Sequence, residues 1–318
     1  MKRISKPDLW ILKKHGSFSL LLLTALTLTT SSCQDDDMHD FDYATLEDGI
    51  PGDVCYFTNP PYPADADTLR ILAIGSSFTN DATSYLDTLI KASGIDTQRL
   101  GIYKVVMPFA RFNTWVDIWK RQESLYLQQI GGDVKMKSYG SLQDVLSQAW
   151  DVIVLSQASD ASYQWSTFAS LKEYMEIVCN ACPNRKVCFA YQLQWSHTPK
   201  EMPYVMQGNV ACCEKMSQRY GIDVIIPCGT SIQIARGTAL NDSRYLTRDN
   251  YHLNLGMGCY IASCTWFQKL LYPVFGCSVV GNQARPDGNY RQDEILLGQR
   301  CAEYAVDHPY DFTYTLID

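Results

Sequence analysis

The segment LRILAIG, residues 69–75, is a short apolar run that ends in glycine. Apolar runs of this length, without polar alternation, are typical of parallel strands that are buried on both faces. Four more strand-like segments follow, at residues 102–107, 151–155, 186–191 and 223–227. We therefore interpret residues 69–75 as the first strand of a parallel sheet.

Helical patterns alternate with these strands. They cover residues 80–93, 113–129, 142–150, 168–179, 204–220 and 255–271, and a weaker pattern covers residues 293–305. This alternation predicts an α/β fold with three α/β/α layers, built on a doubly wound parallel sheet of about five strands and flavodoxin-like in type. In such a sheet we expect the functional residues at the carboxyl ends of the strands.

The composition excludes several classes of protein. Of the 318 residues, 46% are hydrophobic and 19% are charged, which is a globular and not a disordered composition. The 34 acidic residues outnumber the 27 basic residues, so the chain has a formal net charge of −7. A chain of this charge has no general attraction for phosphate backbones, and we expect no nucleic-acid partner.

Residues 1–32 have the pattern of a secretory signal peptide. Basic residues near the start precede an apolar run at about residues 18–28, and small residues then lead to Cys33. A cysteine after small residues resembles a bacterial lipobox, in which the cysteine is lipidated, although Thr30 stands where leucine is usual. A helix buried in the fold is the alternative interpretation of this segment.

The rest of the chain divides into three predicted parts. Residues 33–68 are the lipidated cysteine and a linker, residues 69–275 are the α/β domain, and residues 276–318 are a C-terminal extension. The acidic segment at residues 34–37 resembles signals that send lipoproteins to the outer face of the cell, or else is a solvated linker. We expect a lipoprotein of the outer membrane or cell surface that meets the membrane only through the lipid on Cys33.

The 12 cysteines allow more than one interpretation. An exported protein can form disulfide bonds, but their pairing cannot be deduced from sequence. Cys179 and Cys182 form a CxxC motif close to Cys188, which is compatible with a zinc site or a redox pair. Because no second CxxC motif or histidine pair stands at ligand spacing, we favour structural or disulfide roles and expect neither a metal nor another cofactor.

Ser77 lies two residues after the first predicted strand, at the start of a helix. A nucleophile in this position gains from the backbone N–H groups of the helix start, which can stabilise an oxyanion. In the alternative interpretation, Ser76, Ser77 or Thr79 only caps the helix.

Asp249 and His252 stand three residues apart in a predicted turn before the last long helix. At this spacing the carboxylate can reach the imidazole, fix its tautomer and stabilise its protonated form. A capping aspartate and a packed histidine are the simpler interpretation of the motif when it is taken alone. His197, which follows the fourth predicted strand, is a rival base or a pocket residue.

The motif GSSF at residues 75–78 and the DxxH motif at residues 249–252 together resemble the SGNH (GDSL-type) hydrolase superfamily. The segments WDVIVLSQAS, residues 150–159, and TRDNYHL, residues 247–253, are similar to an uncharacterised branch of it that is common among exported bacterial lipoproteins. The resemblance covers about residues 70–272.

This resemblance implies a role for each motif residue. Ser77 would be the nucleophile, His252 the general base and Asp249 the residue that orients it. The superfamily usually has aspartate before the nucleophile, where this chain has Ser76. Its usual asparagine donor to the oxyanion is also missing, and Gln157 is the expected replacement, with Ser159 second.

The second oxyanion donor of the superfamily is the N–H of a glycine after the second strand. Residues 107–111 contain no glycine here, so we expect Ala110 or Arg111 to supply the backbone N–H. Losing one such donor can cost about 2.7–4 kcal/mol in the transition state. Two functions therefore remain open, a slow enzyme and an inactive relative.

The first hypothesis is a serine esterase that removes an acyl group, expected to be acetyl, from a carbohydrate or similar exported substrate. It would work through an acyl-enzyme on Ser77 and without a cofactor. The alternative is a catalytically inactive surface lipoprotein that keeps this fold to bind a glycan or a peptide. The missing glycine and asparagine motivate the alternative.

Overall fold

The computed structural model describes residues 40–47, 58–131, 137–183, 186–197 and 202–313. These residues belong to one compact unit, Met38–Asp318. The predicted signal peptide, Cys33 and the acidic segment lie outside the described residues. No helix within the described ranges combines the length and the apolar character that a bilayer crossing requires.

A sheet of seven strands forms the middle layer of the described structure. The strands are β1 (Leu69–Gly75), β2 (Leu100–Val106), β3 (Leu125–Ile130), β4 (Lys137–Tyr139), β5 (Val152–Leu155), β6 (Cys188–Gln192) and β7 (Val224–Ile226). They lie side by side in the order β4-β3-β2-β1-β5-β6-β7. The five strands from β2 to β7 in that order are parallel, which confirms the predicted doubly wound sheet.

Helices cover both faces of this sheet. In chain order they are α1 (Ser77–Ala82), α2 (Leu86–Ser93), α3 (Phe112–Arg121), α4 (Leu142–Leu146), α5 (Leu171–Ala181), α6 (Met202–Tyr220), α7 (Cys228–Arg236), α8 (Met257–Trp266), α9 (Tyr272–Phe275) and α10 (Gln292–Asp307). Side chains of β1 alternate between two hydrophobic cores, with Ile71 and Ala73 in one and Leu72 and Ile74 in the other. Helices α1, α2, α7, α8 and α10 cover the first core, and α3 to α6 cover the second, which gives three layers.

The prediction of one helix over residues 113–129 is wrong. Helix α3 ends at Arg121, and Gln122 takes a left-handed conformation with φ 52° that closes it. The chain then returns as β3, which pairs antiparallel to β2. Leu125 and Leu127 are buried on either side of the exposed Tyr126. This alternation with a period of two is typical of a half-buried strand, and the segment therefore forms a strand and not a helix.

Two further helix predictions differ in detail. The segment 80–93 is two helices, because the chain bends at residues 83–85, where the Tyr85 N–H donates to Ser263 Oγ at 3.0 Å. The segment 255–271 is α8 followed by a turn of π-helix at Phe267–Leu271.

The predicted C-terminal extension contributes helix α10 to the first hydrophobic core, the one that contains Ile71 and Ala73. Ile295 and Ala302 of α10 are buried. Gln299 Nε2 donates to the Tyr260 hydroxyl and to the Asn282 carbonyl, both at 2.8 Å. The first bond joins α10 to α8, which is the helix that follows the DxxH motif, and the second joins it to the segment before α10.

Candidate active site

The direction of chain connection changes between β1 and β5. From β1 the chain moves outward to β2, and it later returns to place β5 on the other side of β1. Ligand sites in open α/β sheets lie outside the carboxyl ends of the strands at such a point. Ser77 follows β1 here, and the segment with Gln157 and Ser159 follows β5.

Ser77 is the first residue of α1. The residue before it, Ser76, holds the N-cap position, where its hydroxyl accepts from the Phe78 N–H. The capping role that the sequence left open therefore falls to Ser76, and the Ser77 hydroxyl is free for another contact. Its Oγ lies 2.9 Å from Nε2 of His252, a residue 175 positions later in the chain.

Asp249 makes three hydrogen bonds within the turn, two of them to His252. Its Oδ2 lies 2.8 Å from His252 Nδ1. Its Oδ1 accepts from the backbone N–H groups of Tyr251, at 3.0 Å, and of His252, at 2.7 Å. Aspartate commonly bonds the backbone two residues onward in a turn, so this short motif is self-supporting.

The protonation states of this pair follow from the contacts. Slight burial raises the pKa of Asp249, but hydrogen bonds from the His252 side chain and backbone outweigh it, so the pKa of Asp249 lies below its usual value. An ionised Asp249 carboxylate can only accept, so Nδ1 carries the proton of a neutral His252. Nε2 then presents its lone pair to the Ser77 hydroxyl, as a general base requires.

The backbone closes residues 247–253 into a narrow loop, which we call the His252 loop. Thr247 and Leu253 form an antiparallel bridge at its base. The Arg248 N–H donates to the His252 carbonyl at 2.9 Å. Asn250 at the tip has φ 63°, a conformation that asparagine tolerates better than most residues.

Two residues that were not predicted from the sequence join the His252 loop to α1. Asp81 lies on α1, and its buried carboxylate accepts from Arg248 of the loop. Burial raises the pKa of Asp81, while the hydrogen bonds and charge of Arg248 act in the opposite direction. The signal in the sequence is only that Asp81 follows Ser77 by one helical turn and that Arg248 adjoins Asp249.

Aromatic rings surround His252 and Ser77. Phe78 stacks on Trp195 with centroids 4.1 Å apart and meets the His252 ring edge-on at 5.8 Å. Tyr251 stacks on His197 at 4.0 Å. The His252 ring therefore packs against Phe78 of α1, next to Ser77.

His197 therefore lies in the wall beside the site. Burial lowers the pKa of His197 to about 4; the charge of Asp160 opposes this, and those of Arg236 and His252 add to it. The imidazole is neutral at pH 7. It is placed to pack against Tyr251, while the contact with the Ser77 hydroxyl belongs to His252.

Gln157 does not have the expected role of oxyanion donor. Its Nε2 group donates to Thr167 O at 3.0 Å and to Thr167 Oγ1 at 3.1 Å, which uses both of its hydrogens. Its Oε1 accepts from the N–H groups of Phe112, at 3.2 Å, and Ala158, at 3.1 Å. Gln157 is therefore a fully buried anchor between three segments of backbone.

The loop after β2 also differs from the expectation. The Ala110 N–H donates to the Met107 carbonyl at 3.2 Å, and the Arg111 N–H donates to Thr114 Oγ1 at 3.1 Å. Both of the N–H groups expected to serve the oxyanion are therefore used within the loop. Phe109, between them, has φ 57°.

Three other donors have no partner in the described part of the chain. They are the N–H groups of Ser77 and Phe109 and the hydroxyl of Ser159. Ser159 is buried, with 4% of its surface exposed, and was the second expected donor. Phe109 is exposed and Ser77 is half-buried, so ligand atoms can reach these groups from solvent.

The cysteines form no site in the described residues. No group of three histidine, cysteine or acidic side chains there is arranged to hold a metal. The ten cysteines in these ranges are not joined by disulfide bonds, and burial raises the pKa of Cys182 to about 12. A thiol of this kind is a poor nucleophile and behaves as a small apolar residue.

A family model described as "Domain of unknown function (DUF4886)" matches residues 70–302. The crystal structure of a DUF4886 family protein from Bacteroides uniformis ATCC 8492 is similar to this chain with a TM-score of 0.67 and 25% sequence identity. The match covers 77% of this chain and 97% of that chain. No curated protein matches.

Two solved enzymes show weaker likeness. LAE5, an alpha/beta hydrolase from the metagenome of Lake Arreo, Spain, has a TM-score of 0.47 and 11% identity over 67% of this chain and 98% of its own. A catalytic mutant of Axe2, an acetylxylan esterase from Geobacillus stearothermophilus, has a TM-score of 0.45 and 11% identity over 65% of this chain and 96% of its own.

Proposed function

This chain belongs to the DUF4886 family, a domain of unknown function, and we propose that it is a serine esterase of the SGNH type. One observation carries the proposal. Ser77 Oγ lies 2.9 Å from His252 Nε2, and His252 Nδ1 lies 2.8 Å from Asp249 Oδ2. A hydroxyl, an imidazole and a carboxylate in this order are the arrangement that activates a serine for acyl transfer.

The first half of the reaction forms an acyl-enzyme. Ser77 Oγ attacks the ester carbonyl carbon while His252 Nε2 accepts the hydroxyl proton. The tetrahedral intermediate then expels the alcohol, which takes that proton from His252. Asp249 stays ionised and stabilises the imidazolium in between.

The second half regenerates the serine. A water molecule gives a proton to His252 Nε2 and attacks the acyl carbon. The new intermediate releases the carboxylic acid, and Ser77 Oγ recovers its proton from His252. Neither half uses an oxidant, a metal or an external cofactor.

The oxyanion is the charge that must be stabilised in both halves. We assign it to the Ser77 N–H at the start of α1 and to the Ser159 hydroxyl after β5, with the Phe109 N–H as a third donor. Ser77 and Ser159 belong to adjacent strand ends, because β1 and β5 are neighbours. Donors fixed in advance in a buried site stabilise an oxyanion far more than water does.

The proposed substrate and location rest on the sequence. The resemblance to SGNH hydrolases supports an acyl ester, with acetyl on a carbohydrate as the first choice. The signal-like residues 1–32 and Cys33 support an exported lipoprotein of the outer membrane or cell surface. Nucleic acid is not a partner in this proposal, and the membrane is reached only through the lipid.

Labelling by a fluorophosphonate probe tests the proposal directly, because the probe reacts with an activated serine. We expect labelling of the wild-type protein and its loss in Ser77→Ala, together with at least about a 10³-fold loss of p-nitrophenyl acetate hydrolysis. Ser93→Ala is the matched control, since Ser93 is the last residue of α2 and its Oγ donates to the Ile90 carbonyl.

Absence of labelling in a folded wild-type protein would favour the alternative function, an inactive protein that binds a glycan or peptide. Labelling that persists in Ser77→Ala would remove Ser77 from the mechanism. Circular dichroism of each variant establishes that the fold is intact.

A further inference from the structure

We propose that Asp81 is a positioning residue, which fixes the His252 loop against the helix that carries Ser77. This inference rests on the proposed function, because the distance that it controls is the one between Ser77 and His252. Asp81 does not touch these reacting atoms, and it acts through Arg248 and the loop backbone.

The first evidence is the contact between Asp81 and Arg248, two residues 167 positions apart. Arg248 Nη2 donates to Asp81 Oδ1 at 3.0 Å, and Arg248 Nη1 donates to Asp81 Oδ2 at 3.2 Å. The Asp81 side chain is 6% exposed. Bidentate pairs of this kind fix direction as well as distance, so they set the orientation of the loop relative to α1.

The second evidence is that Asp81 holds both arms of the His252 loop. Its Oδ2 also accepts from the Leu253 N–H at 2.9 Å. Arg248 immediately precedes Asp249, and Leu253 immediately follows His252. Arg248 Nη1 further donates to the Leu253 carbonyl, which ties the two arms to each other. One carboxylate thus anchors the loop on each side of its catalytic residues.

The third evidence is that α1 is itself held by the sheet. Thr79 Oγ1 bonds Ser156 Oγ, after β5, at 3.1 Å. Lys104 of β2 donates from Nζ to Thr83 Oγ1 at 3.1 Å, and Thr83 Oγ1 donates to the Thr79 carbonyl at 2.7 Å. Asp81 lies between these two attachments, so it extends from a rigid base.

A rigid support of this kind matters for the proton transfer. A displacement of about 1 Å in a catalytic arrangement can lower the rate by about 10²-fold. In Asp81→Asn, one carboxylate oxygen becomes an NH₂ group, which cannot accept from Arg248 or from the Leu253 N–H. The loop would lose one of its two anchors while every atom of the Ser77–His252–Asp249 triad is retained.

The test compares kcat and KM for p-nitrophenyl acetate in wild type, Asp81→Asn, Arg248→Lys and the double variant. We expect kcat to fall about 10–100-fold in each single variant, with KM within about threefold of wild type. The double variant should lose little more than either single variant, because both remove the same link. The rate of fluorophosphonate labelling should fall in parallel with kcat.

Asp151→Asn is the matched control. Asp151 Oδ2 accepts from the Arg70 N–H at 2.8 Å at the amino end of the same sheet. A purely structural effect of losing such a carboxylate would lower the melting temperature in both variants and leave kcat per folded molecule near wild type.

The possible outcomes distinguish the positioning role of Asp81 from the esterase proposal. Wild-type kcat in folded Asp81→Asn and Arg248→Lys, with normal labelling, would overturn the positioning role and leave the esterase proposal intact. Absence of labelling in the wild type would instead overturn the esterase proposal. If Asp81→Asn fails to fold, Arg248→Lys gives the answer alone, since the Arg248 side chain is 35% exposed and tolerates replacement.

Discussion

The two ends of the parallel sheet are built differently. At the carboxyl end, buried polar side chains follow the strands: Ser76 and Thr79 after β1, Ser156, Gln157 and Ser159 after β5, and Gln194, Ser196 and His197 after β6. At the amino end, Thr68, Arg99 and Asp223, which directly precede β1, β2 and β7, are exposed. The strands between these ends are mostly apolar, with Lys104 of β2 and Gln192 of β6 as buried polar exceptions.

Burying polar groups costs free energy unless they are hydrogen-bonded, so the carboxyl end needs a network. Gln194 Nε2 donates to the Gln157 carbonyl at 2.9 Å, and Asn209 Nδ2 donates to the Gln194 carbonyl at 3.0 Å. The network holds loops in place. It leaves the N–H groups of Ser77 and Phe109 and the Ser159 hydroxyl without partners, after β1, β2 and β5, which are neighbours in the sheet. This difference between the two ends favours the carboxyl end of the sheet as the place of the proposed active site.

Among the variants that test this contrast, Asp249→Asn at the carboxyl end should have the largest effect. The amide can donate to Nδ1 of His252 and favour the tautomer whose Nε2 carries a hydrogen, which cannot accept the Ser77 proton. We expect kcat to fall by about 10³–10⁴-fold, or roughly 4–5.5 kcal/mol in the barrier. Esterase assays with p-nitrophenyl acetate measure the effect.

Asp242→Asn is the control for this change. Asp242 is an exposed carboxylate in the chain leading to the His252 loop, and its Oδ1 also accepts two backbone N–H bonds, from Arg244 and Leu246. The kcat of Asp242→Asn should remain near that of wild type. An Asp249→Asn variant with more than a tenth of wild-type kcat would mean that His252 does not depend on this carboxylate.

Gln157→Ala is the next largest change, and it acts on stability. Removing the side chain leaves the Phe112 and Ala158 N–H groups without acceptors, at about 1–3 kcal/mol each. We expect the free energy of unfolding to fall by about 3–4 kcal/mol, measured in urea. The surface variant Gln143→Ala should change it by less than about 0.5 kcal/mol.

The same variant separates two roles for Gln157. If Gln157 is an anchor, kcat per folded molecule of Gln157→Ala should stay within about tenfold of wild type. If Gln157 is an oxyanion donor, kcat of the variant should be about 10²–10³-fold lower. The second result would restore the role that the sequence predicted and that the hydrogen bonds of Gln157 to Thr167 oppose.

Much of the fold could be predicted because its determinants are local. The five parallel strands are apolar runs, and the helices between them follow from periodicity and from breakers such as Gly94. Strand β3 was missed because residues 113–129 contain a helical and an alternating pattern in succession, and the boundary depends on Gln122 in a left-handed conformation.

The site could be predicted only where its residues form motifs. Ser77, Asp249 and His252 lie in two short segments that carry a resemblance. The link between Asp81 and Arg248 joins residues 167 positions apart, and no local pattern announces it. The role of Gln157 likewise depends on partners from α3 and from Thr167, so its residue type alone indicated a donor and not an anchor.

The smallest effect that we predict concerns His197, a titratable group buried at the carboxyl end. Its pKa is lowered to about 4 by burial, whereas a histidine in the unfolded chain titrates near 6.5. Between these values the unfolded chain binds a proton that the folded chain does not, so acid favours unfolding. This contribution to stability is complete above about pH 6.5 and is lost as the pH falls towards 4, with a total of about 3 kcal/mol.

His197→Gln should remove most of this dependence, because glutamine does not titrate. We expect the free energy of unfolding of the variant to vary less between pH 7 and pH 4.5 than that of wild type, by about 2–3 kcal/mol. His308→Gln, at an exposed residue beyond α10, should leave the dependence as it is. Equal slopes in wild type and His197→Gln would show that protons reach this imidazole in the folded state. The carboxyl end of the sheet would then be open to water around Tyr251, on which the His197 ring stacks.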